Sequence, residues 1–375
     1  MRIIIIQGAF LPVPAIQGGA VEKIWYRMGQ EFASMGHSVI HIGKSHDQLS
    51  NEEMSNGVKY IRIPGYDTPS SLIKLKFLDL LYSLRTLPFI TRETDILITN
   101  TFWFPFLLRG KSAKRVFVDV QRVPKGQMKF YQHVGRLRAC SPAIADAIRK
   151  ELPVNSQHLI SYIPNPVPFE VKPLQVKRQP VILFVGRLHP EKGVDILIQA
   201  YAMLKPEIRN VWKLVITGPH DFKDGGGGEI YFQKLLSSAD GLNIEFTGPV
   251  YDEENLIHQY AESSIFCYPA QETSGDAAPV APREAMAYGC VPVVSELPCF
   301  NDFIINEKNG VTYNHRAENQ AEELFGKLEM LINNPVQLEN LSETGKSVIT
   351  DYSPTRIAKE FINDFNEVIC SNQKL

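Results

Sequence analysis

Short apolar runs alternate with amphipathic stretches along the first 169 residues. Between two of these runs, apolar residues recur at helical spacing from Val21 to Phe32, which predicts an amphipathic helix. Strands and helices in this alternation are typical of a parallel sheet covered on both faces. The runs that predict buried strands are Ile3–Ile6, Val39–Ile42, Ile96–Thr99 and Val116–Val120.

The same alternation restarts after a proline-rich stretch. Residues 165–180 hold four prolines and show no helical period, which predicts an interdomain linker. We therefore predict two doubly wound α/β domains at 1–168 and 169–352 that face each other across a cleft. A C-terminal helix within 353–375 is expected to pack back on the first domain. The later strand predictions are Val181–Val185, Lys213–Thr217, Asn243–Thr247, Ile265–Tyr268 and Val291–Val294.

Composition is that of an ordinary globular protein. The 375 residues are 44% hydrophobic and 21% charged, and this length suits about two domains. The net charge of -2 argues against non-specific binding to nucleic acid. No apolar run is long enough for a signal peptide or a membrane span. The five widely spaced cysteines favour a reduced, cytoplasmic setting, with neither a disulfide framework nor a zinc site.

Two cations lie in the predicted turn after Val181–Val185. Arg187 and Lys192 precede a helical pattern that begins at Val194. The carboxyl ends of parallel strands gather to form ligand crevices, and Arg and Lys both bind phosphate well. The turn therefore predicts a phosphate site, with an ordinary exposed turn as the alternative.

Two other turns carry candidate chemistry. The pair Gly18-Gly19 opens the first helix, where the backbone could approach an anion closely. It is not the Gly-x-Gly-x-x-Gly fingerprint, which counts against a dehydrogenase. Asp276 and Glu284 lie after Ile265–Tyr268 and could accept hydrogen bonds from sugar hydroxyls. Their alternative roles are a helix cap and a solvated helix face.

Together these segments resemble the retaining glycosyltransferases of family 4. The resemblance is strong from about residue 180 to 312 and weaker before that. It implies the GT-B fold, in which two Rossmann-like domains bind the acceptor and the nucleotide sugar respectively. The motifs that carry it are Gly18-Gly19 before a helix, Gly186-Arg187-x4-Lys192-Gly193, Phe246-Thr-Gly248-Pro-Val250, Glu284-Ala-Met-Ala-x-Gly289 and Pro292-Val293-Val294.

The resemblance assigns roles to individual residues. Arg187 and Lys192 would hold the donor diphosphate and stabilise the leaving nucleoside diphosphate. Glu284 would hold the ribose hydroxyls, and Asp276 would be the other carboxylate of the acidic motif. The family uses no metal or other cofactor, and this chain has no Asp-x-Asp pair. The other implied donor contacts are Gly18, Gly19, Gly186, Val250, Tyr251, Ala277, Ala278, Pro279 and Val280.

The acidic motif departs from the family pattern at two points. Asp276 stands where the family has Glu, and Glu272 could substitute for it only if the loop is rearranged. Ala277-Ala278-Pro279 replaces an aromatic-glycine pair, and Pro279 removes one backbone donor.

A third departure lies after Val116–Val120, where many relatives have a His. Here Gln121 could hydrogen-bond the sugar and Arg122 could contact acceptor or phosphate, but neither is a good general base. A mechanism in which the departing phosphate takes the acceptor proton does not need that His.

The expected activity is a metal-independent, retaining hexosyl transfer from a nucleotide sugar to a saccharide or lipid-linked acceptor. UDP-glucose is the first donor to test, because the family uses it widely, and polysaccharide or glycolipid synthesis is the expected setting. The alternatives are an isomerase acting on a UDP-amino sugar and a non-catalytic subunit that binds nucleotide sugar.

The stretch from Leu72 to Arg85 is apolar with basic residues between. It predicts a core helix with a solvated edge, or else a contact with the inner membrane surface or a lipid-linked acceptor. Phe102, Trp103 and Phe104 could likewise belong to the core or form a platform for the acceptor.

Overall fold

The computed structural model describes residues 1–69, 71–271 and 277–373, and it divides into two compact units. The first unit comprises Met1–Phe169 and Tyr352–Leu375, and the second comprises Glu170–Asp351. Our predictions for Glu272 and Asp276 lie outside the described residues. No helix in the described part of the chain is both long and apolar enough to cross a membrane.

One sheet forms the centre of the first unit. Its strands are β1 (Arg2–Ile6), β2 (Ser38–Lys44), β3 (Glu52–Ser55), β4 (Val58–Ile63), β5 (Ile96–Thr99), β6 (Val116–Val120), β7 (Arg136–Ala139) and β8 (Ile160–Tyr162). They follow the order β3-β4-β2-β1-β5-β6-β7-β8, and β3 is antiparallel to β4 while the other pairs are parallel. The helices are α1 (Ala20–Ser34), α2 (Leu72–Thr86), α3 (Phe104–Leu107), α4 (Gly110–Ala113), α5 (Pro142–Glu151) and, from the end of the chain, α14 (Pro354–Gln373).

The second unit has a wholly parallel sheet. Its strands are β9 (Gln179–Val185), β10 (Lys213–Thr217), β11 (Ile244–Gly248), β12 (Ser263–Tyr268), β13 (Val291–Ser295) and β14 (Val311–Tyr313). The helices are α6 (Val194–Ala202), α7 (Pro206–Arg209), α8 (Gly228–Ala239), α9 (Glu253–Glu262), α10 (Ala281–Ala287), α11 (Gln320–Asn333), α12 (Pro335–Gly345) and α13 (Val348–Asp351).

The strand order of the second unit is the Rossmann order. From one edge to the other it runs β11-β10-β9-β12-β13-β14, so the direction of winding reverses between β9 and β12. In sheets of this kind, ligands bind outside the carboxyl ends of the strands at that reversal. The first unit has a corresponding reversal between β1 and β5.

The last helix, α14, belongs to the core of the first unit. The Phe361 ring lies 5.2 Å from Trp25 of α1, and the Phe365 ring lies 5.0 Å from Phe117 of β6. All four side chains are almost wholly buried. This aromatic packing, which removes large apolar areas from water, fixes α14 on the unit that the chain had left at Phe169.

The strand predictions are confirmed, with end shifts of one or two residues, but the linker prediction begins too early. Asn165 is 1% exposed and Val167 donates its backbone N–H to the Tyr352 carbonyl, 2.9 Å away. Residues 165–169 are therefore packed into the first unit, because their polar groups have partners there. The irregular connection starts only at Glu170 and ends where β9 begins at Gln179.

Candidate functional site

The turn after β9 is held in one conformation by backbone contacts. Gly186 donates to the Thr217 carbonyl at 3.0 Å, and Leu188 donates to the Pro219 carbonyl at 2.8 Å. Gly193 has a φ of 66°, and a Cβ there would lie 2.1 Å from the Pro269 carbonyl oxygen. Only glycine fits this position, which brings the turn against the end of β12 at the strand reversal.

Arg187 is oriented by two hydrogen bonds. Its Nη2 donates to Oε1 of Glu191 at 2.7 Å, and its Nη1 donates to the Gly225 carbonyl at 2.5 Å. The side chain is 39% exposed, so the guanidinium is fixed in direction and still accessible. Such a cation can bind a phosphate with little further ordering.

Lys192 lies on the same turn in a more enclosed place. Its side chain is 4% exposed, and Nζ lies 5.6 Å from the centre of the Tyr268 ring and 3.8 Å from Oε1 of Glu191. One carboxylate therefore lies close to both cations. The sequence pointed to the two cations but gave Glu191 no role. Glu191 lies four positions after Arg187 and directly before Lys192.

Glu284 occupies the first turn of α10 and is 4% exposed. The Tyr260 hydroxyl donates to its Oε2 at 2.7 Å. Burial raises the pKa of Tyr260 well above its ordinary value, and the charge of Glu284 raises it further. Tyr260 therefore keeps its proton and remains a donor. The carboxylate is thus oriented by a neutral hydroxyl.

The remaining predicted donor contacts lie in loops around this turn. Gly225 and its neighbours form a hydrogen-bonded turn: Gly227 donates to the Leu188 carbonyl at 2.7 Å. Tyr251 is 38% exposed, and its pKa is raised by burial and then by the charges of Asp224 and Asp221. Val250 and Ala278 are half-buried, and Ala277, Pro279 and Val280 are buried.

The glycine pair of the first unit lies against a carboxyl group that the sequence did not reveal. Gly18 and Gly19 have φ angles of 78° and 106°, and a Cβ on Gly19 would lie 2.2 Å from Oε2 of Glu22. Burial raises the pKa of Glu22 to about 7, although its own backbone N–H and the charge of Arg122 oppose the shift. In the sequence, the only indication that Glu22 lies near Gly19 is its position as the third residue of α1, where a capping carboxylate is common.

Gln121 is engaged within the first unit. Its Nε2 donates to both oxygens of Asp119, at 3.1 and 3.0 Å, and to Oδ1 of Asn165 at 3.0 Å, and its Oε1 accepts from Asn165 at 3.0 Å. Arg138, fully buried, donates to the same Asp119 and Asn165 oxygens. Both polar atoms of the Gln121 amide therefore already have protein partners, and a sugar contact would have to share or replace one of them.

Two buried oxygens lie at the strand reversal of the first unit. Oε1 of Gln7, just after β1, and Oδ1 of Asn100, just after β5, have no hydrogen-bond partner among the described residues. Buried polar atoms are nearly always paired. Both acceptors lie at the carboxyl ends of the strands that flank the reversal, which is where sheets of this kind bind ligands. The sequence analysis selected neither residue.

Comparison with known proteins gives the fold of the whole chain and a family match for about half of it. The chain has the GT-B fold, built from two Rossmann-like units. Residues 168–348 match the model of the family described as glycosyl transferases group 1. The matched segment covers the turn with Arg187 and Lys192, as well as Glu284.

Individual relatives that match part of the chain are described as glycosyltransferases. An uncharacterized glycosyltransferase of Haemophilus influenzae is 30% identical over 183 residues, which are 48% of this chain and 47% of the relative. The chain thus spans about half the length of the curated relatives it first matches.

Solved structures show the fold over the whole chain. Sucrose-phosphate synthase from Thermosynechococcus elongatus is similar with a TM-score of 0.78 at 16% identity, covering 99% of this chain and 100% of the other. HepE of Anabaena, solved in complex with UDP-glucose, is similar with a TM-score of 0.70 at 14% identity, covering 99% and 100%.

Proposed function

We propose that the protein is a metal-independent, retaining glycosyltransferase that moves a hexose from a nucleotide sugar to a saccharide or lipid-linked acceptor. UDP-glucose is the first donor to test. The proposal includes a cytoplasmic setting and a role in polysaccharide or glycolipid synthesis. The presence of five free cysteines, four of them buried, supports a reducing compartment.

One observation carries the proposal. Arg187 and Lys192 lie on a rigid turn at the carboxyl end of β9, beside the strand reversal where Rossmann sheets bind nucleotides. Their charges can stabilise the diphosphate that develops as the glycosidic bond breaks. This is the role that a divalent cation plays in metal-dependent transferases, which is why we propose that no metal is required.

Glu284 supplies the complementary recognition. A carboxylate that is buried and already oriented by Tyr260 can accept hydrogen bonds from neighbouring ribose hydroxyls. Similar structures that were solved with UDP, with UDP and glucose, or with UDP-glucose support a uridine nucleotide as the donor. Asp276, at the other end of this motif, is the proposed contact to the transferred hexose.

The acceptor proton has to leave during transfer. Gln121 cannot take it, since a neutral amide is not a base at ordinary pH. We therefore propose that a phosphate oxygen of the departing nucleotide accepts the proton on the face where the new bond forms. Arg187 would then stabilise the product phosphate, and the sugar would keep its anomeric configuration.

The experiment is a donor screen with the purified protein. UDP-glucose and other nucleotide sugars are incubated with saccharide and lipid-linked acceptors, and release of nucleoside diphosphate is measured. Nuclear magnetic resonance of the product then gives the anomeric configuration, which should equal that of the donor. Addition of a metal chelator should leave the rate unchanged.

A non-catalytic nucleotide-sugar-binding subunit is the second candidate. It is favoured by Gln121, whose amide is held by Asp119 and Asn165 at the position where many transferases have a His. Tight binding of a nucleotide sugar with no turnover for any acceptor would support the subunit and refute the transferase. Interconversion of UDP-amino sugars without an acceptor would instead support an isomerase.

A further inference from the structure

Helix α2 presents large apolar side chains to solvent. Leu72 is 74% exposed, Ile73 83% and Phe77 57%. At roughly 100° of rotation per residue, Ile73, Phe77 and the partly exposed Leu84 lie within about 40° of one another on one side of the helix, and Leu72 is exposed at its N-terminal end. The opposite side, with Asp79 and the buried Tyr82, packs into the first unit. A surface helix ordinarily exposes its polar side, so this arrangement needs a reason.

The exposed side continues onto a group of aromatic rings. Trp103 donates from Nε1 to the Lys76 carbonyl at 2.7 Å, which joins α2 to the segment before α3. The Phe102 and Trp103 rings lie 5.0 Å apart, and the Phe106 ring lies 6.4 Å from Phe130, which is 57% exposed. We call the resulting surface the α2 surface: Leu72, Ile73, Phe77, Phe102, Trp103, Phe106 and Phe130.

Cations surround the α2 surface. Lys76 Nζ lies 4.4 Å from the centre of the Phe102 ring, and Lys129 Nζ lies 5.1 Å from that of Phe130. Lys74 is exposed on α2 itself. Residues 102–114 and 122–133 carry three cations each and no carboxylate, although the whole chain has a net charge of -2.

The one carboxylate of α2, Asp79, is turned inward. Oδ2 of Asp79 accepts hydrogen bonds from the backbone N–H groups of Phe102 and Trp103, each at 3.1 Å, and Asp79 is 5% exposed. Asp79 thus fixes the aromatic segment on α2 without placing a negative charge on the outside. The exposed side combines apolar groups and positive charge, and both are properties that a bilayer interface selects.

We propose that the α2 surface docks on a lipid bilayer that contains anionic phospholipids. Leu72, Ile73 and Phe77 enter the boundary between headgroups and acyl chains. Lys74, Lys76 and Lys129 keep their ammonium groups at the level of the lipid phosphates, since long side chains extend toward the polar region. The rings of Trp103 and Phe130 lie at the interface, where an aromatic group with a polar neighbour is well accommodated.

The docking does not depend on the proposed transfer reaction. A protein that failed to use any nucleotide sugar could still bind vesicles through this surface. The experiment therefore measures vesicle binding directly, with no substrate present.

Flotation with phosphatidylcholine vesicles, with or without phosphatidylglycerol, tests the proposal. Binding should require phosphatidylglycerol and weaken as salt is raised, because salt screens the lysines. The variant Ile73→Ser/Phe77→Ser should lower the fraction bound by about tenfold, because buried apolar area is lost. Each of Lys74→Gln and Lys129→Gln should lower the binding constant by about fivefold.

The matched control is Val154→Ser/Ile230→Ser, which removes from elsewhere two apolar side chains that are at least as exposed, at 85% and 90%. It should bind vesicles as the wild type does. Thermal melting should be the same for both double variants, since neither site is packed.

Three results would overturn the proposal. The wild type could fail to bind either kind of vesicle, or the Ile73→Ser/Phe77→Ser variant could bind as tightly as the wild type. Sedimentation could also show a dimer that this variant loses, which would assign the α2 surface to a second copy of the chain.

Discussion

Nη2 of Arg187 lies 2.7 Å from Oε1 of Glu191, and the same carboxylate oxygen lies 3.8 Å from Nζ of Lys192. One negative charge therefore offsets two positive charges at the proposed diphosphate site. Before a nucleotide binds, Glu191 holds Arg187 in direction; when a diphosphate arrives, the carboxylate competes with it for the same guanidinium.

Neutralising Glu191 should tighten the binding of a nucleoside diphosphate. For Glu191→Gln we expect a Kd for UDP about fivefold lower, which is the scale of one partly exposed ion pair. Isothermal calorimetry measures the change at low and at moderate salt. Weaker binding in the variant would mean that Glu191 acts mainly by positioning Arg187.

Removal of either cation should abolish transfer. Arg187→Ala and Lys192→Ala each lose a charge that faces the developing diphosphate, and we expect kcat/KM to fall by at least about a hundredfold. Lys213→Ala is the control, because Lys213 is a surface cation paired with Glu245 at the start of β10. Circular dichroism should report the same fold for all three. A near-normal rate in the Arg187 and Lys192 variants would refute their assignment.

Glu284 should make the protein bind UDP more tightly than a nucleotide whose ribose lacks the 2′- and 3′-hydroxyls. The Glu284→Gln variant loses a charge-assisted hydrogen bond, so its UDP affinity should fall about tenfold. Affinity for 2′,3′-dideoxy-UDP should be equal in variant and wild type, because that ligand offers nothing for the carboxylate to bind. If both ligands weaken equally, Glu284 supports the site only through its contact with Tyr260.

Glu22 should make stability fall as pH rises. Its folded pKa is about 7 against an ordinary value of 4.5, so the folded state retains a proton that the unfolded chain releases between these values. The contribution is complete below pH 4.5 and is lost as pH rises through 7.

The variant Glu22→Gln cannot ionise, so it should gain on the wild type by about 3 kcal/mol at pH 8 and by little at pH 4. Urea titrations across this range measure the difference. Glu93→Gln is the control, since the Glu93 side chain is 81% exposed. A constant difference between Glu22→Gln and wild type would contradict the raised pKa.

The buried ion pair under Gln121 should be costly to break. Arg138 Nη1 lies 2.6 Å from Oδ1 of Asp119, and both side chains are 0% exposed. Asp119→Asn leaves the guanidinium without its counter-charge and should destabilise the first unit by about 3–5 kcal/mol. Gln121→Ala removes only neutral donors and acceptors and should cost about 1 kcal/mol.

Tryptophan fluorescence during denaturation can follow this change, because Trp25 donates from Nε1 to Oδ2 of Asp119 at 2.7 Å. Equal losses for Asp119→Asn and Gln121→Ala would show that the ion pair contributes no more than the amide.

Strands in which most side chains are apolar could be predicted from the sequence, and two strands that contain a buried arginine could not. Ile96–Thr99 and Val116–Val120 are the bounds of β5 and β6. In contrast, β4 and β7 contain Arg62 and Arg138, whose charges break the apolar pattern. Arg62 is tolerated because it donates to the Val13 carbonyl at 3.0 Å and to Glu53 at 2.6 Å. Those partners are contributed by other parts of the chain, so periodicity carries no trace of them.

The same distinction holds for the candidate site: features that depend on neighbouring residues could be predicted, and contacts between distant residues could not. Arg187 and Lys192 could be selected because the turn, its glycines and the following helix are local in sequence. The partners of Gln121 could not, since Asn165 lies 44 residues away and meets it only after β6 and the end of the first unit have packed. The proximity of Glu22 to Gly19 depends on a backbone φ of 106°, which residue identity alone does not specify.

The return of α14 to the first unit sets an order of events at the ribosome. Trp25, Phe32 and Phe117 leave the exit tunnel long before the Phe361 and Phe365 rings that cover them. All of Glu170–Asp351 emerges in between and has its own complete sheet. The segment Glu170–Asp351 can therefore fold before α14 has emerged, while the first unit keeps an uncovered aromatic face until α14 follows.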